Sequence, residues 1–179
     1  MAPIWQWDET VQRGWDYGDL AEVQRYDERM AAFRDVRAEA QSILGRLALS
    51  PDDVILEIGT GTGVFAREAA LQCREVIAID VSPPMLEYAA RRAKDERTGN
   101  IVFRQSGFLT YEHQGEPLAA IVSQTALHHL PDAWKLIVSA RAEPPSSAAS
   151  LDFQGDTSSG QATTTGIVWA QKRFEDAAR

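Results

Sequence analysis

The chain has 179 residues, of which 44% are hydrophobic, and a formal net charge of −8 at pH 7. That size and composition fit one packed core, while the acidic balance argues against a protein that grips a phosphate backbone through clustered Lys and Arg. No run of about eighteen apolar residues offers a membrane span, and the lone Cys73 can form no internal disulfide and lacks a Cys or His neighbour with which to share a metal.

The opening MAPIWQWDET lacks the basic stretch and apolar run of a signal peptide, so a cytoplasmic location is expected. The first 25 residues are rich in Trp and acids (Trp5, Trp7, Asp8, Glu9, Trp15, Tyr17, Asp19) without a sustained period, which suggests a wrapped arm or short helices. From Asp27 to Leu47, Met30, Phe33, Val36, Ala40, Ile43, Leu44 and Leu47 recur at three- and four-residue steps, and the spacing predicts one amphipathic helix. Ser50-Pro51 ends it. Residues 1–50 therefore read as an N-terminal helical region, and a core follows over 51–140.

Within that core, short apolar runs alternate with helical patterns, the mark of a parallel sheet flanked by helices. The runs are Val54 to Ile58, Val76 to Ile79, Ile101 to Phe103 and Leu118 to Val122. Helices are predicted from Phe65 to Leu71 and over 83–94, the second capped by Ser82 with Pro83 in its first turn. Residues 141–179 change in texture. The stretch from Glu143 to Gly166 is dense in Ser, Thr, Ala, Gly and Pro and predicts irregular chain, with a possible edge strand over 166–172.

The most informative segment is Val54-Ile55-Leu56-Glu57-Ile58-Gly59-Thr60-Gly61-Thr62-Gly63. A buried-type strand runs into a turn with glycine at every second position, where positive φ and close approach of backbone to a ligand are possible. The turn opens onto a helix whose first N–H groups favour a carboxylate or phosphate. A dinucleotide fingerprint would need glycine at Val64, so that reading is poor. The next strand ends in Asp80, where a carboxylate is placed to accept both hydrogen bonds of a ribose diol.

The E-x-G-x-G-x-G run from Glu57 to Gly63, followed by Asp80-Val81-Ser82-Pro83-Pro84-Met85-Leu86, resembles motif I and its sequel in class I S-adenosylmethionine-dependent methyltransferases. Two later segments are also similar to that family. Val102 to Tyr111 resembles its third strand and loop, with Ser106 and Gly107 where many members carry aspartate. Ile121 to Asp132 resembles its fourth-strand segment, including His128-His129. The resemblance implies an α/β, three-layer Rossmann-like fold with a mostly parallel central sheet. It also implies S-adenosyl-L-methionine as cofactor, held by Glu57, Gly59, Thr60, Gly61, Gly63, Asp80, Val81, Met85, Ser106, Gly107 and Gln124, with Tyr26 from the N-terminal region. Trp15, Tyr17 and Tyr26 would then form a lid over a small-molecule acceptor.

His128 and His129 are candidates for a catalytic base. As sequence neighbours they are expected to point apart, one packing and the other facing the cleft mouth, and they form no metal site. The family's strand order 3-2-1-4-5-7-6 requires a Pro- and Gly-containing turn before a fifth strand, and no such turn follows Val138. The C-terminal strands are thus expected to be missing or atypical. The fourth strand would become an open edge unless a homodimer or residues 166 to 172 cover it. The expected function is methyl transfer to a small molecule, with no nucleic-acid or membrane partner. The alternative is a truncated, non-catalytic methyltransferase-like protein that binds the cofactor weakly, and a dinucleotide-dependent oxidoreductase is a distant third.

Overall fold

In the computed structural model, residues 5–10, 20–141, 149–153 and 166–170 are described; Trp15 and Tyr17 lie outside them. Helices α1 (Leu20–Phe33) and α2 (Val36–Leu47) replace the single helix expected from Asp27 to Leu47. The break has a local cause: the Asp35 carboxylate accepts the Ala38 N–H at 2.9 Å and caps α2. Apolar spacing carries across this break and hides it. On α2, Ala40, Ile43, Leu44 and Leu47 are buried as the periodicity requires, whereas Phe33, at the end of α1, is 76% exposed.

The sheet follows: β1 (Val54–Ile58), β2 (Glu75–Asp80), β3 (Ile101–Gln105) and β4 (Ala120–Ser123), crossed over by α3 (Val64–Ala69) and α4 (Pro83–Asp95). Strand β1 pairs in parallel with β2 and β4, and β2 with β3. Strand alternation divides β1 between two cores. Ile55 joins Ala40, Leu44, Phe65 and Ala66 beneath α2 and α3, while Val54, Leu56 and Ile58 join Ile77 and Ile79 on the other face. Glu57 is the one acid of β1, and it is 3% exposed. As the sequence predicts, Ser82 caps α4, accepting the Met85 N–H, with proline in its first turn. Cys73 is a buried free thiol that donates to the Ala69 carbonyl at 3.2 Å.

Past β4 come α5 (Asp132–Arg141), β5 (Ala149–Phe153) and β6 (Gly166–Ala170). The order is β3-β2-β1-β4-β6-β5. Two expectations are corrected. Residues 149–153 are a strand, not irregular chain, and residues 166–170 lie inside the sheet, not at its edge. Strand β6 runs antiparallel to β4, Ala120 opposite Ala170, and β5 runs antiparallel to β6. The physical reason is the row of N–H and C=O groups on the far side of β4, which pair with β6 because, among the described residues, no parallel strand lies beside β4 on that side. Among the described residues, no helix is long and apolar enough to cross a membrane.

Candidate functional site

The turn after β1 is held from two directions. The Gly59 and Thr60 N–H groups donate to the Ile79 carbonyl at 2.8 and 3.0 Å, and the Gly61 N–H donates to Asp80 Oδ2 at 2.9 Å. Asp80 Oδ1 accepts the Ser82 N–H, also at 2.9 Å. The last residues of β2 thus shape the glycine turn, and Asp80 keeps lone pairs on both oxygens for further donors. Burial pushes its carboxyl above the ordinary range, against the bonds from Ser82 and Gly61.

Each glycine of the turn has positive φ but serves a different end. A Cβ on Gly59 would stand 2.2 Å from the Ala126 Cβ, so the turn packs against the loop after β4. One on Gly63 would stand 2.9 Å from the Ala89 Cβ of α4. One on Gly61 would meet nothing within 4 Å, because it faces open space. That space is a cavity of about 510 Å³ at the carboxyl ends of β1, β2, β3 and β4.

Of the residues singled out from the sequence, Gly59, Gly61, Asp80, Val81, Met85, Ser106, Gly107, Gln124 and Tyr26 line this cavity. Glu57, Thr60 and Gly63 do not; they lie beneath or behind the turn. Glu57 Oε2 accepts the Thr60 hydroxyl at 2.6 Å. Burial pushes the Glu57 carboxyl up to about 8; the Thr60 bond opposes the rise and nearby Asp80 adds to it. The folded value exceeds the ordinary 4.5, so the native state holds a proton that the unfolded chain releases. Stability from this group is therefore full below about 4.5 and is lost as pH rises to about 8. In Glu57→Gln, which mimics the protonated form, that decline in urea midpoint should flatten, a difference of the order of a few kcal/mol across the window.

His128 and His129 both line the cavity, in a 3-10 turn over Leu127–His129. Their rings sit 4.1 Å apart between centroids and tilt by 37°, which corrects the expectation that they diverge: the tight turn brings both to one wall. Burial is the chief cause that holds each below the ordinary imidazole value, followed by the Lys135 cation for His128 and by His128 itself for His129.

Several lining residues carry no sequence signal. Thr125 has φ of 53°, unusual for a β-branched residue, and follows two buried atoms without a hydrogen-bond partner, Ser123 Oγ and Gln124 Nε2. Arg29, Met30, Phe33 and Arg34 come from α1 and its end, which is tied to α4 by the Tyr88 hydroxyl donating to Asp27 at 3.2 Å. Trp7 and Glu9 come from the N-terminal segment. That segment is strapped down by Trp5 stacked on Trp134, with centroids 6.1 Å apart, and by Gln6 donating to the Leu109 carbonyl at 3.2 Å.

A family model described as a methyltransferase domain matches residues 55–142, the span that holds the glycine turn, Asp80 and the paired histidines. The chain carries a class I methyltransferase domain. An uncharacterized methyltransferase of Geobacillus kaustophilus is 33% identical over 130 residues, covering 73% of this chain and 54% of the relative. The magnesium-protoporphyrin O-methyltransferase of Rhodobacter capsulatus is 29% identical over 102 residues, covering 54% of this chain and 43% of the relative. The chain thus spans about half the length of the relatives it matches. A crystal structure of a candidate S-adenosyl-L-methionine-dependent methyltransferase from Methanococcus maripaludis superposes with a TM-score of 0.64 at 14% identity, covering 93% of this chain and 99% of that one. This likeness is one of fold.

Proposed function

We propose that this chain binds S-adenosyl-L-methionine in the 510 Å³ cavity and transfers its methyl group to a small-molecule acceptor. The observation that carries the reading is Asp80, a carboxylate at the tip of β2 whose two oxygens brace Gly61 and Ser82 and face the cavity beside a turn with no side chain at Gly61. A ribose diol donates two hydrogen bonds to such a group, and the open face of Gly61 admits the chain that the ribose carries. The unpartnered Gln124 Nε2 offers a donor to an acceptor atom of the same ligand.

The cofactor, when bound, supplies a methyl group on a cationic sulfur, which is already activated for displacement. What remains for the protein is position and exclusion of water. The turn, Asp80 and Met85 fix the donor side, while Tyr26, Met30 and Phe33 of α1 wall the acceptor side. His128 and His129, held below the usual imidazole value, are neutral at pH 7 and can accept a proton from an acceptor hydroxyl or amine. A small acceptor suits a cavity partly roofed by α1, and the Rhodobacter relative is named for a small-molecule acceptor. Cys73, a buried free thiol, suits the cytoplasm.

Thermal unfolding with S-adenosylmethionine or S-adenosylhomocysteine tests the reading. Ligand at about 100 times its dissociation constant should add roughly 2.7 kcal/mol, which for a chain of this size is a rise of about 5–10 °C. A cooperative transition that no concentration of either compound moves would sink it. A second reading, binding without turnover, draws on the span of only about half the relatives' length. It predicts the same shift with no methyl transfer to any acceptor.

A further inference from the structure

The wall of the cavity beyond Asp80 is built in an unusual way. Strands β2 and β3 end side by side, Asp80 opposite Gln105, so Val81, Ser106, Gly107 and Phe108 together line the slot past Asp80. Gly107 has no side chain, and the place one would occupy is already filled. A Cβ there would stand 2.5 Å from Glu9 Oε2, 2.7 Å from Glu9 Cδ and 2.8 Å from Val81 Cγ1. The carboxylate that lines this slot therefore arrives from the N-terminal strap.

Its seat is specific. Glu9 Oε1 accepts the Leu109 N–H at 2.9 Å and the Thr110 hydroxyl at 3.2 Å. The same hydroxyl oxygen accepts the Gly107 N–H at 2.9 Å. Two donors thus fix one oxygen, and the other is directed at the space over Gly107. Among the residues lining the cavity, Glu9 and Asp80 are the acids.

We propose that Glu9 is a specificity-determining residue, whose carboxylate accepts the exocyclic amino group of an adenine base lying in the slot past Asp80, against the wall that Val81, Gly107 and Glu9 form together. The inference rests on the reading of this cavity as an S-adenosylmethionine site. If Asp80 holds the ribose, the base attached to it enters the slot beyond Asp80. The ring nitrogens of N9-linked adenine accept, so its 6-amino group is what can donate to a carboxylate. Hypoxanthine places a carbonyl oxygen at that position and sets two acceptors against each other. A purine with a 6-oxo group is thereby rejected.

The experiment compares S-adenosylhomocysteine with S-inosylhomocysteine by calorimetry on the wild-type chain, Glu9→Gln and Thr110→Val. The wild type should prefer the adenine compound by about 10- to 100-fold, the scale of one hydrogen bond to a charged group. In Glu9→Gln the Leu109 N–H and the Thr110 hydroxyl keep the carboxamide oxygen, so the NH₂ faces the base and the preference should be lost or reversed. Thr110→Val removes one bond to Glu9 yet leaves the carboxylate, and it should keep the preference. Wild-type and Glu9→Gln chains with the same preference overturn the role of Glu9 and leave the cofactor site intact. An equal loss in Thr110→Val overturns it too, in favour of a strap that only holds the loop. A wild type that binds neither compound overturns the cofactor reading, and this inference with it.

Discussion

Gly59→Ala is expected to cost about 2–6 kcal/mol of folding stability, combining a left-handed backbone strain of about 1–3 kcal/mol with overpacking of about 1–3 kcal/mol. The residue has φ of +77°, and its new Cβ would fall 2.2 Å from the Ala126 Cβ. Against a total of about 5–15 kcal/mol, that is a large fraction. Urea unfolding reads it directly as a fall in midpoint at unchanged slope. Gly61→Ala separates the two causes: its φ is +53° with nothing within 4 Å, so it should cost only about 1–2 kcal/mol in stability. Ala126→Gly should recover the steric part of the Gly59→Ala loss and none of the backbone part, giving a coupling between the sites. If Gly59→Ala unfolds at the wild-type midpoint, the packing of the turn on the loop after β4 is wrong.

Asp80→Ala should have the largest effect on ligand binding, weakening S-adenosylhomocysteine roughly 100-fold or more, about 3 kcal/mol. Two losses combine. The ribose loses its charged acceptor, and the Gly61 and Ser82 N–H groups lose the partner that shapes the turn before any ligand arrives. Calorimetric titration gives the affinity, and unfolding without ligand gives the structural share alone. Since burial raises the Asp80 pKa, wild-type affinity should begin to fall at a higher pH than an exposed aspartate would dictate, as the carboxylate takes up a proton. A variant that keeps wild-type affinity would remove Asp80 from the site.

The sequence made β1, β2 and β4 legible because a strand buried on both faces must be apolar almost throughout, and the glycine turn because glycine at every second position has few structural uses. The glycine turn, Asp80 and Met85 could be assigned together for that reason. Glu9 could not. Its partners Leu109 and Thr110 are about a hundred positions away, and one glutamate among the acids of the first 25 residues looks like any other. The break between α1 and α2 was hidden because Phe33 keeps the apolar period although it lines the open cavity and is not buried in the core. Thr125 was hidden because a positive φ in a threonine is imposed by neighbours, not by its own preference. Strand β5, Ala-Ser-Leu-Asp-Phe, sits in a segment whose composition opposes burial, and pairing with β6 is what makes it a strand.

The return of β6 to β4 has a consequence for synthesis. The parallel pairs β1–β2 and β2–β3 join segments that are near in sequence, whereas Ala120 must wait for Ala170. During translation, at about 5–20 residues per second, the glycine turn and Asp80 emerge seconds before the strand that closes the far side of β4. A nascent chain released early would carry the ligand-facing half with an unpaired β4. Such an edge is open to addition by any extended peptide, including the β6 of another chain. Swapped dimers and aggregates should therefore increase when synthesis stalls after β4 and before β6 is complete, and chaperone demand should concentrate there.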